Sequence, residues 1–400
     1  MRRRTVLAGL TGLSAGLALP ATARAEPQSR PNGPWIQPEQ VVQKVALTEN
    51  ADLGPKLAGI AARSGGRMSV EVAGRSATGW PIHLARFGEP APGKTSLLIQ
   101  TQIHGGEPLG TEVALHLMQT LATSSHPTVL DVLDKLAIWF IPRLNMDGGD
   151  FRNADGFLVQ RRQNTQPWTP QEWGLAPGTP APWYLPRQLL QPGQTPGYDI
   201  NRDFSPDLGF RLGPGDEALL PGRSELPGFF VTPEARTSAA VFQRMRPDFF
   251  IDHHHRGSNT QSDTDNQLTT LQLVGIVTAG TPDFPLDPAA RDLAFQVNVL
   301  VWDRLRELGN SGFGGITRYP DVELPGTALG SYALNGAGIM LYETRSVAQK
   351  SMGMLIQQSL FGFGATLEGL TDGSVYAVDP NRYHDIPPAG PSIGNPRDDL

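Results

Sequence analysis

Three apolar runs in this chain each end on a side chain that can bind a metal or move a proton. Ser96 to Ile103 runs into His104, Phe249-Phe250-Ile251 into Asp252, and Ile339 to Tyr342 into Glu343. Runs of this kind read as buried strands, and stretches of helical period separate them. Val113, Leu117 and Leu121 share one helix face after Pro108, and Ala51 to Ala62 reads as an earlier helix. Thr232-Pro233-Glu234 is a helix start, with a capping Thr, Pro at the first position and an acid in the first turn, for a helix to about Met245. Pro288 to Glu307 and Ala348 to Leu370 are further helices. Met68 to Val72, Pro81 to Phe87, Ala137 to Pro142 and Leu271 to Val277 are further strands, with Gly74 to Gly79 as a turn. Alternation of this sort predicts an α/β fold: a mixed, largely parallel twisted sheet flanked by helices. Ligand sites in such sheets gather at the carboxyl ends of strands, so one crevice can collect His104, His254 and Glu343.

The chemistry of those ends is specific. His104 and Glu107 stand three residues apart between a strand and a helix, and Gly105 and Gly106 let the backbone turn so that both side chains face one point. An open catalytic zinc takes three protein ligands, two His and one Glu being one known set, and a water fills the fourth position. The third ligand comes from the run His253-His254-His255. Side chains alternate along a strand, so Asp252 and His254 share one face and His253 and His255 the other, and any of the three His can serve. Glu343 is then left as the base for the water, with a proton affinity raised by burial. Asn201-Arg202 after Tyr198-Asp199-Ile200 offers a guanidinium fork for a carboxylate, and a zinc protease with such a clamp selects a free C-terminus. Arg161 or Arg162 can stabilise the oxyanion as a carbonyl becomes tetrahedral.

Composition excludes other classes. The chain has no Cys, which removes disulfides, thiolate zinc sites and Cys nucleophiles. Its first residues read as an export signal, residues 1–25. Arg2, Arg3 and Arg4 precede an apolar run from Val6 to Leu19, and Ala23-Arg24-Ala25 is a cleavage site. The pair Arg3-Arg4 marks the twin-arginine route, which carries proteins already folded. Gly12-Leu13-Ser14-Ala15-Gly16 matches a serine nucleophile elbow but lies inside this segment. Cleavage removes four Arg and no acid, leaving 29 basic against 39 acidic residues and a net charge of −10. That balance disfavours nucleic acid and anionic membrane as partners, and no apolar run is long enough to span a bilayer afterwards.

With these motifs in order, the chain resembles the zinc metallocarboxypeptidases of the carboxypeptidase A type, over roughly Ala51 to Leu370. The family's H-x-x-E appears as His104 to Glu107, its P-x-x-N-x-D-G turn as Pro142 to Gly148, and its D-x-N-R as Asp199 to Arg202. Its D-x-H appears as Asp252 to His254, which selects His254 as the third ligand, and its catalytic Glu appears as Glu343. The resemblance implies one zinc per chain and a peptide or protein substrate with a free C-terminus. It implies Arg161 as the residue that polarises the scissile carbonyl, Asn201 and Arg202 as holders of the terminal carboxylate, and Asp199 as the acceptor that orients a zinc-bound His. Tyr319 falls near the family's mobile Tyr, which closes over the substrate. The domain plan that follows is a leader at 26–48, a catalytic domain at 49–372 and a Pro-rich tail at 373–400.

Two segments depart from the pattern. Gln163 to Gly197 carries eight Pro and three Trp, too many residues for an ordinary connection, and is expected to rim the cleft. The tail has no helical period and is expected to lie over the surface or fray. Specificity is expected near Gly326 to Leu329, small and apolar, with Asp321 and Glu323 close enough to favour basic side chains. Two rivals share the motifs: a peptidase or amidase of the same fold acting on cell-wall peptides, and a non-catalytic peptide- or carbohydrate-binding relative. The second is expected to have lost a ligand or Glu343, and none is missing. The oligomeric state is not encoded in these features.

Overall fold

The computed structural model describes residues 46–153, 155–185, 197–257, 259–264, 267–308, 315–345 and 351–392. The expected export signal and nearly all of the leader lie outside the described residues, as do 186–196 of the Pro/Trp segment and 393–400 of the tail.

Among the described residues eight strands form one sheet: β1 (Met68–Arg75), β2 (Pro81–Phe87), β3 (Thr95–Thr101), β4 (Leu136–Ile141), β5 (Phe249–Arg256), β6 (Leu271–Val274), β7 (Ile316–Arg318) and β8 (Gly338–Arg345). Their order is β1-β2-β4-β3-β5-β8-β6-β7, and the four central strands run parallel. The parallel core follows from the sequence: β3 and β4 are buried along almost their whole length, which only a sheet covered on both faces permits. The antiparallel additions at β1-β2 and β6 make the sheet mixed, as expected.

Numbered in chain order, the α-helices among the described residues are α1 (Asn50–Arg63), α2 (Leu109–Thr123), α3 (Pro127–Lys135), α4 (Met146–Gly149), α5 (Pro233–Met245), α6 (Pro288–Glu307), α7 (Ala328–Ala333) and α8 (Met352–Asp372), and two layers of them cover the sheet. On one face lie α2 (Leu109–Thr123) and α8 (Met352–Asp372). A Cβ at Gly110 of α2 would press on Thr101 and His253, and Ser359 of α8 meets the His253 ring. On the other face lie α5 (Pro233–Met245) and α7 (Ala328–Ala333), where Ser238 meets Gln100 and Phe242 stacks on Tyr332 at 4.0 Å. The Thr232 hydroxyl caps α5 through Ala235 N–H, as its sequence predicts. The short elements β7 and α7, and the helix Pro127–Lys135, are not marked by the periodicity of the sequence.

The C-terminal segment differs from expectation. Residues 374–377 and 380–385 form 3-10 turns, and Val375, Tyr383 and Ile386 are fully buried. The Tyr383 ring stacks on Phe295 at 4.2 Å, its hydroxyl accepts from Gly275 N–H, and Arg382 makes a two-pronged pair with Asp303. A segment of prolines cannot show helical period, so its anchoring aromatic is invisible to a periodicity search. Replacing Tyr383 by Ala is expected to cost about 3–5 kcal/mol, the usual range for a buried aromatic. A urea midpoint unchanged from wild type would show that the segment contributes no stability.

Candidate metal centre

His104 and Glu107 stand on the turn between β3 and α2, closed by the Glu107 N–H donating to His104 O at 3.1 Å. Gly105 permits it, because a Cβ there would collide with the backbone of Gly148 and Arg161. His254 comes from β5, whose parallel register sets it directly beside Glu343 of β8. Both residues lie inside their strands rather than just past them, since β5 and β8 continue to Arg256 and Arg345.

One ligand atom each from His104, Glu107 and His254 lies within 4.8 Å of the others, and all three residues are buried. Both imidazoles turn Nδ1 to Glu107, at 2.7 Å from His104 and 3.1 Å from His254. Both turn Nε2 to an aspartate: His104 to Asp199 Oδ1 at 3.3 Å, His254 to Asp252 Oδ2 at 3.0 Å. A carboxylate behind the imidazole is what fixes the ring and tautomer of a metal-ligating His. Glu107 Oε2 is buried without an aligned hydrogen-bond donor, which is costly unless a cation meets it. Two imidazole nitrogens and a carboxylate oxygen are a zinc donor set, so these residues fit the ion.

The charges are arranged consistently. Burial by itself opposes ionisation of Glu107, yet His104 and His254 hold its carboxyl well below the usual range. Burial likewise opposes the charge on Asp199, and Arg162, Arg202 and His104 outweigh it. Glu343 shifts the other way: burial raises its carboxyl, only partly offset by His254 and Arg256.

The arginines divide differently from expectation. Arg161 turns away from the cluster, its guanidinium 5.0 Å from the Phe151 ring centroid and facing the Asp147 charge. Its neighbour Arg162 enters, with Nε 3.0 Å from Asp199 Oδ2 and Nη1 3.9 Å from Glu107 Oε1. The reason is the neck of the Pro/Trp segment. Asn164 N–H donates to Tyr198 O, and Tyr198 N–H donates to Asn164 Oδ1, so residues 162 and 199 are drawn together. The segment itself packs Leu175, Tyr184, Trp168 and Trp173 around a small second core, and the Tyr184 hydroxyl donates to Asp203.

Asn201 and Arg202 lie on a 3-10 turn capped by Asp199. Asn201 Oδ1 accepts from Ala328 N–H at 3.1 Å, which ties the turn to the segment expected to set specificity. Arg202 Nη1 donates to Asn201 O, and its charge bears on Asp199. Asp321 is paired with Arg318, and Glu323 accepts from the Thr278 hydroxyl and Ala279 N–H, so both carboxylates are engaged elsewhere. Tyr319 sits near Glu343 through Arg256, whose guanidinium lies 4.4 Å from the Tyr319 ring centroid and 3.6 Å from Glu343 Oε2. Asp252 was marked by the sequence as the head of the D-x-H motif, without a role of its own, and Arg256 was not singled out. Extending β5 by strand alternation would have found Arg256, since 252, 254 and 256 fall on one face.

A profile of the zinc carboxypeptidase family matches residues 56–267, more than half of the chain. The chain belongs to that family. Among curated relatives, carboxypeptidase E of Caenorhabditis elegans is 29% identical over 142 residues, covering 34% of this chain and 24% of that protein. The chain spans between about a fifth and a quarter of the length of the curated relatives it matches. Among solved structures, bovine thrombin-activatable fibrinolysis inhibitor superposes with a TM-score of 0.54 at 14% identity, covering 83% of this chain and 99% of that one. Carboxypeptidase A from Helicoverpa armigera gives 0.53 at 18% identity, covering 83% and 74%. These likenesses establish the zinc carboxypeptidase fold. The family's metal is zinc, and His104, Glu107 and His254 are the cluster that can hold it.

Proposed function

We propose that this zinc carboxypeptidase family member is an exported metallocarboxypeptidase that releases single residues from free peptide C-termini. The observation that carries the reading is the register of β5 and β8. It sets Glu343 against His254, so a partly buried carboxylate with raised proton affinity stands beside the metal cluster. His104, Glu107 and His254 would hold a zinc ion, which would supply Lewis acidity for a carbonyl oxygen and for a water. Glu343 takes the attacking water's proton and returns it to the departing amine. Arg162, in the role expected of Arg161, donates to the carbonyl oxygen as negative charge grows there. Asp199 orients His104 and keeps Arg162 in place. Asn201 and Arg202 hold the terminal carboxylate, Asn201 through the amide nitrogen left by its bond to Ala328. Tyr319 closes over the bound residue. Since Asp321 and Glu323 are engaged elsewhere and Ala328 and Leu329 are buried and apolar, uncharged side chains suit the site better than basic ones.

Residues 1–25 are proposed as the export signal and 49–372 as the catalytic domain. Among the described residues no helix is long and apolar enough to cross a membrane.

The test is a peptide against its C-terminally amidated twin. The amide leaves Arg202 without a charged acceptor, and losing a hydrogen bond to a charged group costs about 1.5–3 kcal/mol, roughly 10–150-fold in kcat/KM. Arg202→Ala should erase most of that preference. Equal cleavage of the twins, or cleavage inside long peptides, refutes the carboxypeptidase reading, and a preference for muropeptides moves it to the cell wall.

A further inference from the structure

We propose that His255 is a positioning residue for the metal-binding turn, although it cannot itself reach the metal cluster. Strand alternation sends His255 to the face of β5 opposite His254. There its Nε2 lies 3.2 Å from the backbone N–H of Leu109, the first residue of α2, and both residues are buried. Leu109 stands two residues beyond Glu107 and five beyond His104, so whatever fixes the start of α2 fixes the turn that carries two of the three ligands.

The first N–H groups of a helix have no partner within the helix. A side chain at the N-cap commonly accepts from one of them, but the residue in that place is Pro108, which has no such group and makes no capping bond. The His255 ring does the work from a neighbouring strand. An accepting Nε2 is unprotonated, so the ring is held in the form that carries its proton on Nδ1. The helix is seated closely enough for this contact to be exacting. A Cβ at Gly110 would strike the His253 ring and Thr101, so the first turn of α2 rests directly on β5 and β3. His253 is fastened in turn by Ser359 of α8 at 3.0 Å and lies face to face with Tyr342.

The histidine run thus has a division of labour. His254 offers its imidazole to the metal from one face of β5, and His255 on the other face ties the helix that follows the remaining ligands to the same strand. The separation of His254 from His104 and Glu107 is referenced to β5 on both sides. The ring centroids of His104 and His254 stand 4.8 Å apart, and a shift of α2 along the sheet would change that spacing.

This inference rests on the reading of His104, Glu107 and His254 as zinc ligands, and the experiment separates the two. Zinc affinity is measured by competition with a chromophoric chelator on the full chain and on His255→Gln, His255→Asn and His255→Leu. Backbone hydrogen exchange at Leu109 is followed in the metal-free proteins. The Gln carbonyl can take the place of Nε2, the shorter Asn cannot reach, and Leu cannot accept. His255→Gln is expected to bind zinc within a few-fold of wild type. His255→Asn and His255→Leu are expected to bind about 10–100-fold more weakly, the range found when a residue supporting a ligand is lost. They should also show faster exchange at Leu109, with a thermal unfolding transition that stays cooperative. If His255→Leu does not fold, the Gln and Asn pair decides alone. Wild-type affinity in folded His255→Asn, or equal weakening in Gln and Asn, overturns the positioning role while leaving the zinc site standing. A wild-type chain that binds no zinc overturns both.

Discussion

Replacing Glu343 by Gln should lower kcat by about 10²–10⁴-fold, the contribution usual for a general acid–base group, while zinc content and the unfolding transition stay as in wild type. The change is close to isosteric, and Glu343 lies in β8 without a hydrogen bond on its Oε2, so little of the fold depends on its charge. KM should change far less than kcat, because the carboxylate acts on the water and not on the bound peptide. Arg256 makes the result sharper. Its Nη1 is 3.6 Å from Glu343 Oε2, an ion pair and not a hydrogen bond, so in Glu343→Gln a guanidinium faces a neutral amide. Any loss of stability from that mismatch is separable from the loss of turnover by comparing Glu343→Gln with Arg256→Met. Near-normal turnover in a zinc-loaded Glu343→Gln protein would remove Glu343 from the chemistry.

The sheet core was legible because its signals are local. Leu97 to Ile99, Phe249 to Ile251 and Ile339 to Leu341 are apolar on both strand faces, as buried parallel strands are, and Thr232-Pro233 caps its helix within its own first turn. The end of β5 falls four residues beyond Asp252 and that of β8 two beyond Glu343, because polar side chains were read as the finish of each strand. Here the polar residues continue the pairing, and the register His254↔Glu343 is the consequence. The choice between Arg161 and Arg162 was not legible. It depends on the contact between Asn164 and Tyr198, residues separated by the whole Pro/Trp segment, and no local rule predicts that closure. Tyr383 was hidden for a similar reason: its partners Phe295 and Gly275 lie far back in the chain. Local chemistry thus pointed to the three residues that the fold gathers into one cluster, and long-range closure decided which side chains surround them.

Removing the proposed ligand His254 should abolish metal binding and activity together. In His254→Ala the cluster keeps only the His104–Glu107 pair from one turn, and Asp252 is left buried without the imidazole 3.0 Å away. Two ligands from one turn do not close a catalytic zinc site, which takes three. After dialysis against buffer cleared of metal, His254→Ala is expected to hold essentially no zinc, and its turnover should fall to or below that of Glu343→Gln. His253→Ala separates ligand from neighbour, because its Nε2 meets Ser359 on the far side of the strand. It should keep its zinc and lose stability instead. Asp199→Asn and Asp252→Asn occupy the middle ground: each keeps three ligands but loses the carboxylate behind one imidazole, for about 10–100-fold weaker zinc binding. The ranking, with His254→Ala below the two Asn variants and His253→Ala near wild type, is the measurement that checks the site. Full zinc in His254→Ala, or loss of zinc in His253→Ala alone, would place the metal on the other face of β5 and undo the assignment of His104 and Glu107 with it.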